Sequence, residues 1–569
     1  MKMRHHCAIV FTALILCSGS AQAQSGRIPV AADSGMVVSS HYLASEAGME
    51  VLRSGGNAVD AAIATAFALA VTLPSAGNIG GGGFLVYHGA DGYVTTLNFR
   101  EKAPLAATET MFLGPDGEII DDSNHEGPLS VGVPGTVSGL WLAHQRLGTV
   151  DWATLVEPAV QLAAEGFPST RAMQWFLEQL AQRSDPLYEA TRRAFLKDGT
   201  EVFKPGEIWK QPDLAASLAR IRDHGHDGFY KGETARLLSE FMARHGGLIT
   251  TEDLSLYEAE ELPPVHGSFG EYDIYSMSPP SSGGVALITM LNILEGYDLT
   301  SLGHNSAQYL HLLTEAMRRA FADRAEHLGD PNFNPNMPVQ RLISKAHADQ
   351  LRATINEEHA SESDPEELSQ LYLSMESEET THLSVVDAAG NAVSLTYTLE
   401  HSYGSQIVAD GTGFLLNNEM GDFNPVPGNT NLSGRIGTPP NLVAPQKRML
   451  SSMTPTIVAK DGKPFIVVGS PGGRTIINTV LQIILNVTNF EMDIAQAVEA
   501  TRIHHQWLPD ITSFESWGIS PDTQALYEAK GHRVRYRSSQ GRAHCIMIQG
   551  GTLYGAADSR SYDGRAIGF

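Results

Sequence analysis

The chain has 569 residues, 42% of them hydrophobic and 18% charged, so it is long enough for several domains or for one large layered domain. Its formal net charge of −25 disfavours binding to nucleic acid or to an anionic membrane surface. The 55 glycines suit turns and close backbone approaches better than a protein built of long helices.

The first 23 residues are typical of a secretory signal peptide. A basic head precedes an apolar run, Ala8 to Leu16, that is too short to span a bilayer, and Ala21-Gln22-Ala23 offers small residues for cleavage. We expect a cut before Gln24 and export to the periplasm or the medium. Cys545 is then the single cysteine of the mature chain, so no internal disulfide is expected.

The rest of the chain alternates between helical and strand-like patterns of apolar residues. Helices are predicted at 41–56, 58–73, 135–148, 154–166, 233–247, 278–296, 305–329, 475–489 and 493–505. Strands are predicted at 84–88, 93–99, 271–277, 413–416, 455–460, 463–470, 544–549 and 552–557.

Two features near the N-terminal strands allow a structural and a functional interpretation. The run SAGNIGGGG at 75–83 lacks the GK[ST] ending of a phosphate loop and leads into a strand, so we interpret it as close backbone packing. Arg100 ends the second strand, in NFREKAP. An arginine there is commonly salt-bridged or solvated, but its guanidinium could also hold a ligand carboxylate with two hydrogen bonds.

The stretch 380–399, TTHLSVVDAAGNAVSLTYTL, predicts a β-hairpin with its turn at Ala389-Gly390. An acidic segment at about 357–379 comes before it, and we expect this segment to be solvated and mobile. Such a junction is either a loop entering a strand or a point where the chain is cut. After a cut, the new α-amine of Thr380 would lie beside its own hydroxyl and could act as its base.

Three polar clusters follow the hairpin. Asn417, Asn418, Glu419 and Asp422 lie at the end of the predicted strand 413–416 and form either a polar turn or a site for a cation or an ammonium group. A long loop rich in Pro, Gly and Asn at 425–448 leads to Ser451-Ser452. Gly472 and Gly473 come directly before a helix, where their N–H groups suit an oxyanion or a tight turn.

Together these parts suit acyl transfer, and the chain resembles the γ-glutamyltranspeptidase (glutathione hydrolase) family of N-terminal-nucleophile hydrolases. The resemblance extends over essentially the whole mature chain, and its motifs are NIGGGGF, NFREKAP, TTHLSVVD, NNEMGDF, LSSMTPT and GSPGG. It implies an α+β fold: a four-layer αββα sandwich of two packed antiparallel sheets with helices outside. It also implies one intertwined domain that is cut into a large subunit, 24–379, and a small catalytic subunit, 380–569.

The resemblance also implies a role for each matching residue. The precursor is expected to cut itself between Glu379 and Thr380, after which Thr380 is the nucleophile and Thr398 orients it. Gly472 and Gly473 match the oxyanion hole. A cationic clamp for the substrate α-carboxylate and an anionic clamp for its α-ammonium group are expected on opposite sides of the head group. Arg100, Ser451 and Ser452 match the cationic clamp, and Glu419 and Asp422 match the anionic clamp.

The activity implied is transfer of a γ-glutamyl group from glutathione or another γ-glutamyl amide to water or to an amino acid or peptide. No cofactor, metal, nucleic acid or membrane span is expected, and the two subunits would form a heterodimer. Two positions depart from the family pattern. Glu400 replaces a common asparagine and places three acids near one cation, which predicts a raised pKa. Ser433 replaces a tyrosine of the loop over the pocket.

Two other functions stay open. One is a glutaryl or cephalosporin acylase of the same family. The glutaryl group has no ammonium, so the acids at 400, 419 and 422 would lack their partner, and this disfavours the acylase. The other is a non-catalytic exported protein on the same scaffold, which the retention of Thr380 and Thr398 disfavours.

Overall fold

The computed structural model describes residues 27–363 and 380–569. The signal peptide predicted at 1–23, Glu379, and residues 364–379 of the predicted acidic tail lie outside the described residues. Among the helices that are described, none is both long enough and apolar enough to cross a membrane.

Helices account for much of the described chain. In chain order they are α1 (Tyr42–Arg53), α2 (Ala58–Thr72), α3 (Thr136–Leu147), α4 (Trp152–Glu165), α5 (Gln174–Gln182), α6 (Glu189–Phe195), α7 (Pro212–His224), α8 (Asp227–Tyr230), α9 (Gly232–His245), α10 (Thr251–Ser255), α11 (Gly283–Leu294), α12 (Leu299–Leu302), α13 (Ala307–His327), α14 (Val339–Leu342), α15 (Lys345–Arg352), α16 (Thr475–Thr488), α17 (Ile494–Glu499) and α18 (Pro521–Ala529). Every helix predicted from the sequence has a counterpart among them.

The strands form two large sheets and two small ones. In chain order they are β1 (Val30–Ala32), β2 (Met36–Ser39), β3 (Gly82–His88), β4 (Val94–Phe99), β5 (Phe167–Pro168), β6 (Ile208–Trp209), β7 (Glu260–Leu262), β8 (Val265–Phe269), β9 (Tyr272–Ser276), β10 (Thr381–Val386), β11 (Ala392–Thr398), β12 (Thr456–Lys460), β13 (Lys463–Val468), β14 (Ile503–His504), β15 (Thr512–Glu515), β16 (Val534–Arg537), β17 (His544–Gln549), β18 (Thr552–Ala557) and β19 (Arg565–Gly568). Sheet 1 has the strand order β1-β18-β17-β13-β12-β9-β8, and sheet 2 has the order β19-β2-β10-β11-β3-β4-β7.

The two seven-stranded sheets pack face to face, and all their strand pairs are antiparallel. One hydrophobic cluster combines Val38 and Phe84 of sheet 2 with Ile457 and Val467 of sheet 1. Helices α1 to α3 pack on the outer face of sheet 2 with α4 behind α2, whereas α11 and α16 cover sheet 1 with α13 packed against α11. The predicted αββα sandwich is thereby confirmed.

Both sheets interleave strands from before and after position 380. In sheet 2, β10 lies between β2 and β11, and β11 pairs with β3. In sheet 1, β12 lies between β9 and β13, and β18 pairs with β1. The parts of the chain on either side of position 380 therefore share one core.

Local sequence signals account for the elements that hold the central hairpin. Asn57 caps α2 through a reciprocal capping box with Asp60, and every residue of α2 is buried. The predicted close packing at the glycine run is confirmed. A Cβ atom on Gly81 would lie 2.0 Å from the carbonyl oxygen of Thr398, and one on Gly83 would lie 2.4 Å from that of Thr396. Only glycine allows β3 to approach β11 so closely.

Two elements predicted from the sequence differ from the structure. Residues 413–416 form no strand and make a single bridge, Val408 to Leu415. The helix predicted at 493–505 ends at Glu499, because Ile503 and His504 pair with β15 instead.

The start of the tail predicted to be solvated is bound to the protein. The Ser361 hydroxyl donates to Glu315 at 2.6 Å, and the Ser363 N–H donates to Asp510 at 3.0 Å.

Candidate active site

The hairpin sets Thr380 beside Thr398. Thr381 pairs with Tyr397, so in the same register Thr380 lies across from Thr398, at the end of β11. The Thr380 hydroxyl donates to Thr398 Oγ1 at 3.4 Å, and the Glu400 N–H donates to the same oxygen at 2.8 Å. Both threonines are nearly buried, with exposed fractions of 5% and 4%. Thr398 thus connects the candidate nucleophile to the turn that follows β11.

A cavity of about 250 Å³ opens over Thr380. Of the ten residues predicted for catalysis and binding, nine line it: Arg100, Thr380, Thr398, Glu400, Glu419, Asp422, Ser451, Ser452 and Gly473. Gly472 is next to the lining residue Gly473. These positions are separated by up to 373 residues in the sequence, so the fold brings the predicted site together.

Gly472 and Gly473 form the turn between β13 and α16. Their φ angles are 134° and 54°, a region that favours glycine. The Gly472 carbonyl oxygen accepts hydrogen bonds from the Thr475 N–H at 3.0 Å and from its hydroxyl at 2.7 Å. Neither glycine N–H donates to another described residue. Two amide donors are therefore held at the start of a helix, where they can stabilise a developing oxyanion.

Arg100 is fully buried and is surrounded by acids. Its guanidinium contacts Glu419 at 2.5 Å and Glu101 at 3.5 Å, and it also bonds to Asp422. The prediction of a cationic and an anionic clamp on opposite sides is therefore wrong, because the two are in direct contact. A buried guanidinium requires neighbouring negative charge, and these acids supply it.

The acids around Arg100 have perturbed pKa values. Burial raises the pKa of Glu101 to about 8 although Arg100 opposes the shift. Burial also raises the pKa of Glu419 well above its usual range and that of Asp422 above its own, against the same guanidinium. Glu419 Oε1 has no hydrogen-bond donor among the described residues. The cluster has three carboxyl groups beside one arginine, so burial favours protons on these groups, and a second cation could take the place of those protons.

Glu400 is neutralised by histidine rather than by Arg100. Its carboxylate contacts His125 Nδ1 at 3.1 Å and His401 Nε2 at 3.8 Å. Burial alone would lower the pKa of His125, but the Glu400 charge and hydrogen bond raise it to about 9. Burial raises the pKa of Glu400, but His125 and His401 more than offset this and leave it lowered. The raised pKa expected among the three crowded acids occurs at Glu419 and Asp422 but not at Glu400, and Glu101 shares it.

Sequence reasoning missed three residues of the site. His125 lies in a segment with no periodic pattern, and Glu101 lies directly after Arg100 in NFREKAP. Arg324 lies on α13, where an arginine normally faces solvent. It donates instead to Ser282 at 2.9 Å and to Ser452 at 3.0 Å. Only the NFREKAP motif offered a signal, because Glu101 is the fixed neighbour of Arg100.

The amides of the polar cluster after residue 416 are structural. Asn417 bonds the backbone of Gly80 and Gly132, and Asn418 bonds the backbone of His125 and His401. Ser433 is buried and donates to Asn431 at 2.6 Å, whereas the next three residues line the cavity. Ser433 therefore stabilises the covering loop from a buried position, beside the loop residues that line the cavity.

Comparison with known proteins agrees with this site. The family model described as gamma-glutamyltranspeptidase matches residues 44–568. The chain belongs to this family. The glutathione hydrolase proenzyme of Escherichia coli is 45% identical to it over 545 residues, which is 95% of this chain and 93% of that one. The acylase ACY 1 proenzyme of a Pseudomonas species is 39% identical, over 95% of this chain and 94% of its own.

Solved structures show the same family and fold. The gamma-glutamyltranspeptidase of Helicobacter pylori superposes with a TM-score of 0.55 and 42% identity, over 59% of this chain and 94% of the solved one. A cephalosporin acylase from Bacillus halodurans superposes with a TM-score of 0.84 and 26% identity, over 98% and 99% of the two chains. The resemblance stated from the sequence motifs is confirmed.

Proposed function

We propose that this chain is a self-cleaving γ-glutamyltransferase and glutathione hydrolase whose nucleophile is Thr380. The observation that carries the proposal is the contact between the Thr380 and Thr398 hydroxyls at the base of a cavity that also contains Arg100 and Gly473. Membership of the gamma-glutamyltranspeptidase family supports it, as do relatives named glutathione hydrolase proenzyme.

Maturation would use the same hydroxyl as catalysis. The Thr380 oxygen adds to the carbonyl carbon of Glu379, the peptide nitrogen leaves as the new α-amine of Thr380, and an ester joins the two residues. Water then hydrolyses the ester to a Glu379 carboxylate and a free Thr380 hydroxyl. The large subunit, 24–379, and the small subunit, 380–569, would stay together because their strands alternate in both sheets.

Turnover would follow a two-step acyl transfer. The free α-amine of Thr380 takes the proton of its hydroxyl, and the oxygen adds to the γ-carbonyl carbon of the donor. The amides of Gly472 and Gly473 stabilise the oxyanion, and the proton passes to the leaving amine. The γ-glutamyl ester on Thr380 then reacts with water or with the amine of an amino acid or peptide acceptor.

The charges around Arg100 favour a zwitterionic head group. A substrate α-carboxylate would bind Arg100 together with Ser451 and Ser452, in place of an acid now on the guanidinium. The α-ammonium would compensate the displaced charge on Glu419 and Asp422, so binding exchanges ion-pair partners without leaving a buried charge unpaired. This exchange supports a γ-glutamyl donor.

The main experiment combines a gel with an assay. The purified protein should give two fragments, the smaller beginning TTHLSVVD, and should release p-nitroaniline from γ-glutamyl-p-nitroanilide. Thr380→Ala should remain one band and be inactive. Thr381→Ser is the matched control, because serine keeps the hydroxyl that bonds to Ser40 at 2.8 Å. A single band in folded wild-type protein, or cutting of Thr380→Ala, would contradict the proposal.

A glutaryl or cephalosporin acylase is the second candidate, favoured by the full-length match to the Bacillus halodurans structure. A glutaryl anion on Arg100 would displace the acids without supplying a cation, so we expect slower turnover of glutaryl-p-nitroanilide than of the γ-glutamyl compound. Faster glutaryl turnover would favour the acylase. Folded protein inactive on both amides would favour a non-catalytic scaffold.

Export is part of the same proposal and is supported by the sequence pattern at 1–23. In a bacterial host, the mature protein should be recovered from the periplasm or the medium with its N-terminus at Gln24. Recovery of the uncut N-terminus in the cytosolic fraction alone would contradict it.

A further inference from the structure

His125, Glu400 and His401 form a cluster at the cavity that the proposed reaction does not use as a unit. Each offers one ligand atom, and these atoms all lie within 4.8 Å of one another. We propose that the three side chains form a binding site for a divalent transition-metal ion such as Zn²⁺, next to the substrate cavity.

The spacing of the donor atoms suits such an ion. A four-coordinate zinc ion holds N and O ligands at about 2.0–2.1 Å, which separates neighbouring ligand atoms by roughly 3.3 Å. The same oxygen of Glu400 lies 3.1 Å from His125 Nδ1 and 3.8 Å from His401 Nε2. Small side-chain rotations therefore suffice to place all three on one ion.

The backbone around the cluster is held in place by a buried side chain. Asn418 donates to the His125 carbonyl oxygen at 3.1 Å and accepts from the His401 N–H at 3.1 Å. Glu400 has a φ of 76°, a left-handed conformation rare for glutamate, and its N–H is bonded to Thr398. The two imidazole rings are stacked with an angle of 4° between their planes, so one ring must turn before both in-plane lone pairs can point at one ion. The backbone that carries the ligands is thus fixed, whereas the rings reorient when an ion binds.

The donor set indicates the class of metal. Two imidazoles and one carboxylate suit Zn²⁺, Co²⁺, Ni²⁺ or Cu²⁺, whereas Mg²⁺ and Ca²⁺ prefer oxygen ligands. Asp122 and Asp422 line the same cavity as His125, which places further carboxyl groups near the ion. All three ligand side chains are partly exposed, so an ion can reach them from solvent.

A second histidine group in the described residues lacks this capacity. His311, Glu315 and His532 are buried, and Glu315 already pairs with Arg318 and Arg319. His311 uses both ring nitrogens, one on His532 and one on a backbone carbonyl. The comparison supports the His125 group as the metal site.

Metal binding would also affect catalysis. His125 and Glu400 line the cavity that contains Thr380, so a bound ion would compete with the substrate head group. We therefore expect reversible inhibition by the metal. This consequence rests on the proposed function, whereas the binding itself does not.

The test uses untagged, chelator-treated full-length protein as isolated. Calorimetric titration with Zn²⁺ should show one ion per chain, and Co²⁺ should give visible d–d absorption of a four-coordinate site. His401→Gln removes one ligand without touching the residues that line the cavity, and it should weaken binding about tenfold or more. His226→Gln is the matched control, because His226 is also a partly exposed histidine beside an acid, Asp227, and should bind as wild type does.

Absence of binding up to millimolar Zn²⁺, or equal affinity in wild type and His401→Gln, would overturn the metal site. Turnover should fall with Zn²⁺ in wild type, recover with EDTA, and resist Zn²⁺ in His401→Gln. Unchanged turnover in protein shown to hold one ion would overturn the competition with substrate. If the protein has no γ-glutamyl activity, the proposed function fails while both titrations still test the site.

Discussion

Replacing Arg100 by methionine should destabilise the protein, and the loss should grow with pH. Methionine roughly preserves the length of the side chain but removes the charge that Glu101, Glu419 and Asp422 share. Removing one partner of a buried ion pair costs about 3–5 kcal/mol when the other partner stays ionised. The acids can instead take up protons, so the cost depends on how readily they do so.

The sign of the pH effect follows from the carboxyl pKa values. The pKa of Glu101 is raised from 4.5 to about 8 by burial, and Arg100 limits that rise. A carboxyl whose pKa is higher in the folded state holds a proton there that the unfolded chain has lost, so the free energy of unfolding falls as pH rises between the two pKa values. Without Arg100, further carboxyl groups are protonated in the folded state alone. Each of them makes the free energy of unfolding fall by about 1.4 kcal/mol more for every unit that the pH rises.

The measurement is urea unfolding at pH 5.5 and pH 7.5 in a Thr380→Ala background, which keeps the chain in one piece under the proposed mechanism. At pH 7.5 we expect Arg100→Met to lower the free energy of unfolding by about 3–5 kcal/mol. At pH 5.5 this loss should be smaller by about 3 kcal/mol. Arg502→Met is the control. Burial opposes ionisation of its partner Asp558, but Arg502 and Arg560 hold that pKa at about 2.

Because Arg560 would remain beside Asp558, the control should lose the same stability at both pH values. An Arg100→Met loss that is equal at the two pH values, or no loss at all, would refute the reasoning about the buried acids.

Three further predictions concern the site. Thr398→Val removes the oxygen that contacts Thr380 and that accepts the hydrogen bond of the Glu400 N–H, so kcat on γ-glutamyl-p-nitroanilide should fall about 10²-fold while Thr398→Ser stays near wild type. Equal rates of the two variants would contradict this. Gly472→Ala places a Cβ 2.4 Å from Thr475 Oγ1, at a residue whose φ of 134° favours glycine, so the turn and its amides must shift. We expect kcat to fall about 10²- to 10³-fold with KM little changed. An unaltered kcat would argue against the oxyanion role. Ser433→Tyr puts a ring into a buried site, so it should lower Tm rather than restore a gate; an unchanged Tm would show that the loop accommodates it.

The sequence predicted the elements around Thr380 because their signals are local. The hairpin, the capped helix after Asn57 and the glycine run depend on turn chemistry, capping and backbone contact, and each is where the pattern indicated. The helix predicted through His505 failed because pairing with β15, an interaction with a distant segment, ends the helix at Glu499. The periodicity of apolar residues cannot reveal a pairing with a strand that is distant in the sequence.

The charges of the site show the same limit. Arg100, Glu419 and Asp422 were found through motifs, but the contact between them depends on the folding of segments more than 300 residues apart. His125 was missed for the same reason, since only the fold brings it to Glu400. The residue types were therefore predictable from the sequence, whereas their ion-pair partners and pKa values were not.

The alternation of strands from before and after position 380 sets an order of events. The hairpin alone sets Thr380 beside Thr398, but Arg100 and Gly473 join them only when β10 has paired with β2 and β11 with β3, so the chain must acquire its native sheets before the site is complete. Cleavage would then report that a molecule has folded. The ratio of the two fragments to the intact precursor would measure the fraction of molecules that reached the native state. Pieces synthesised separately would each have to assemble half of two sheets, and we expect them to aggregate rather than reconstitute the enzyme.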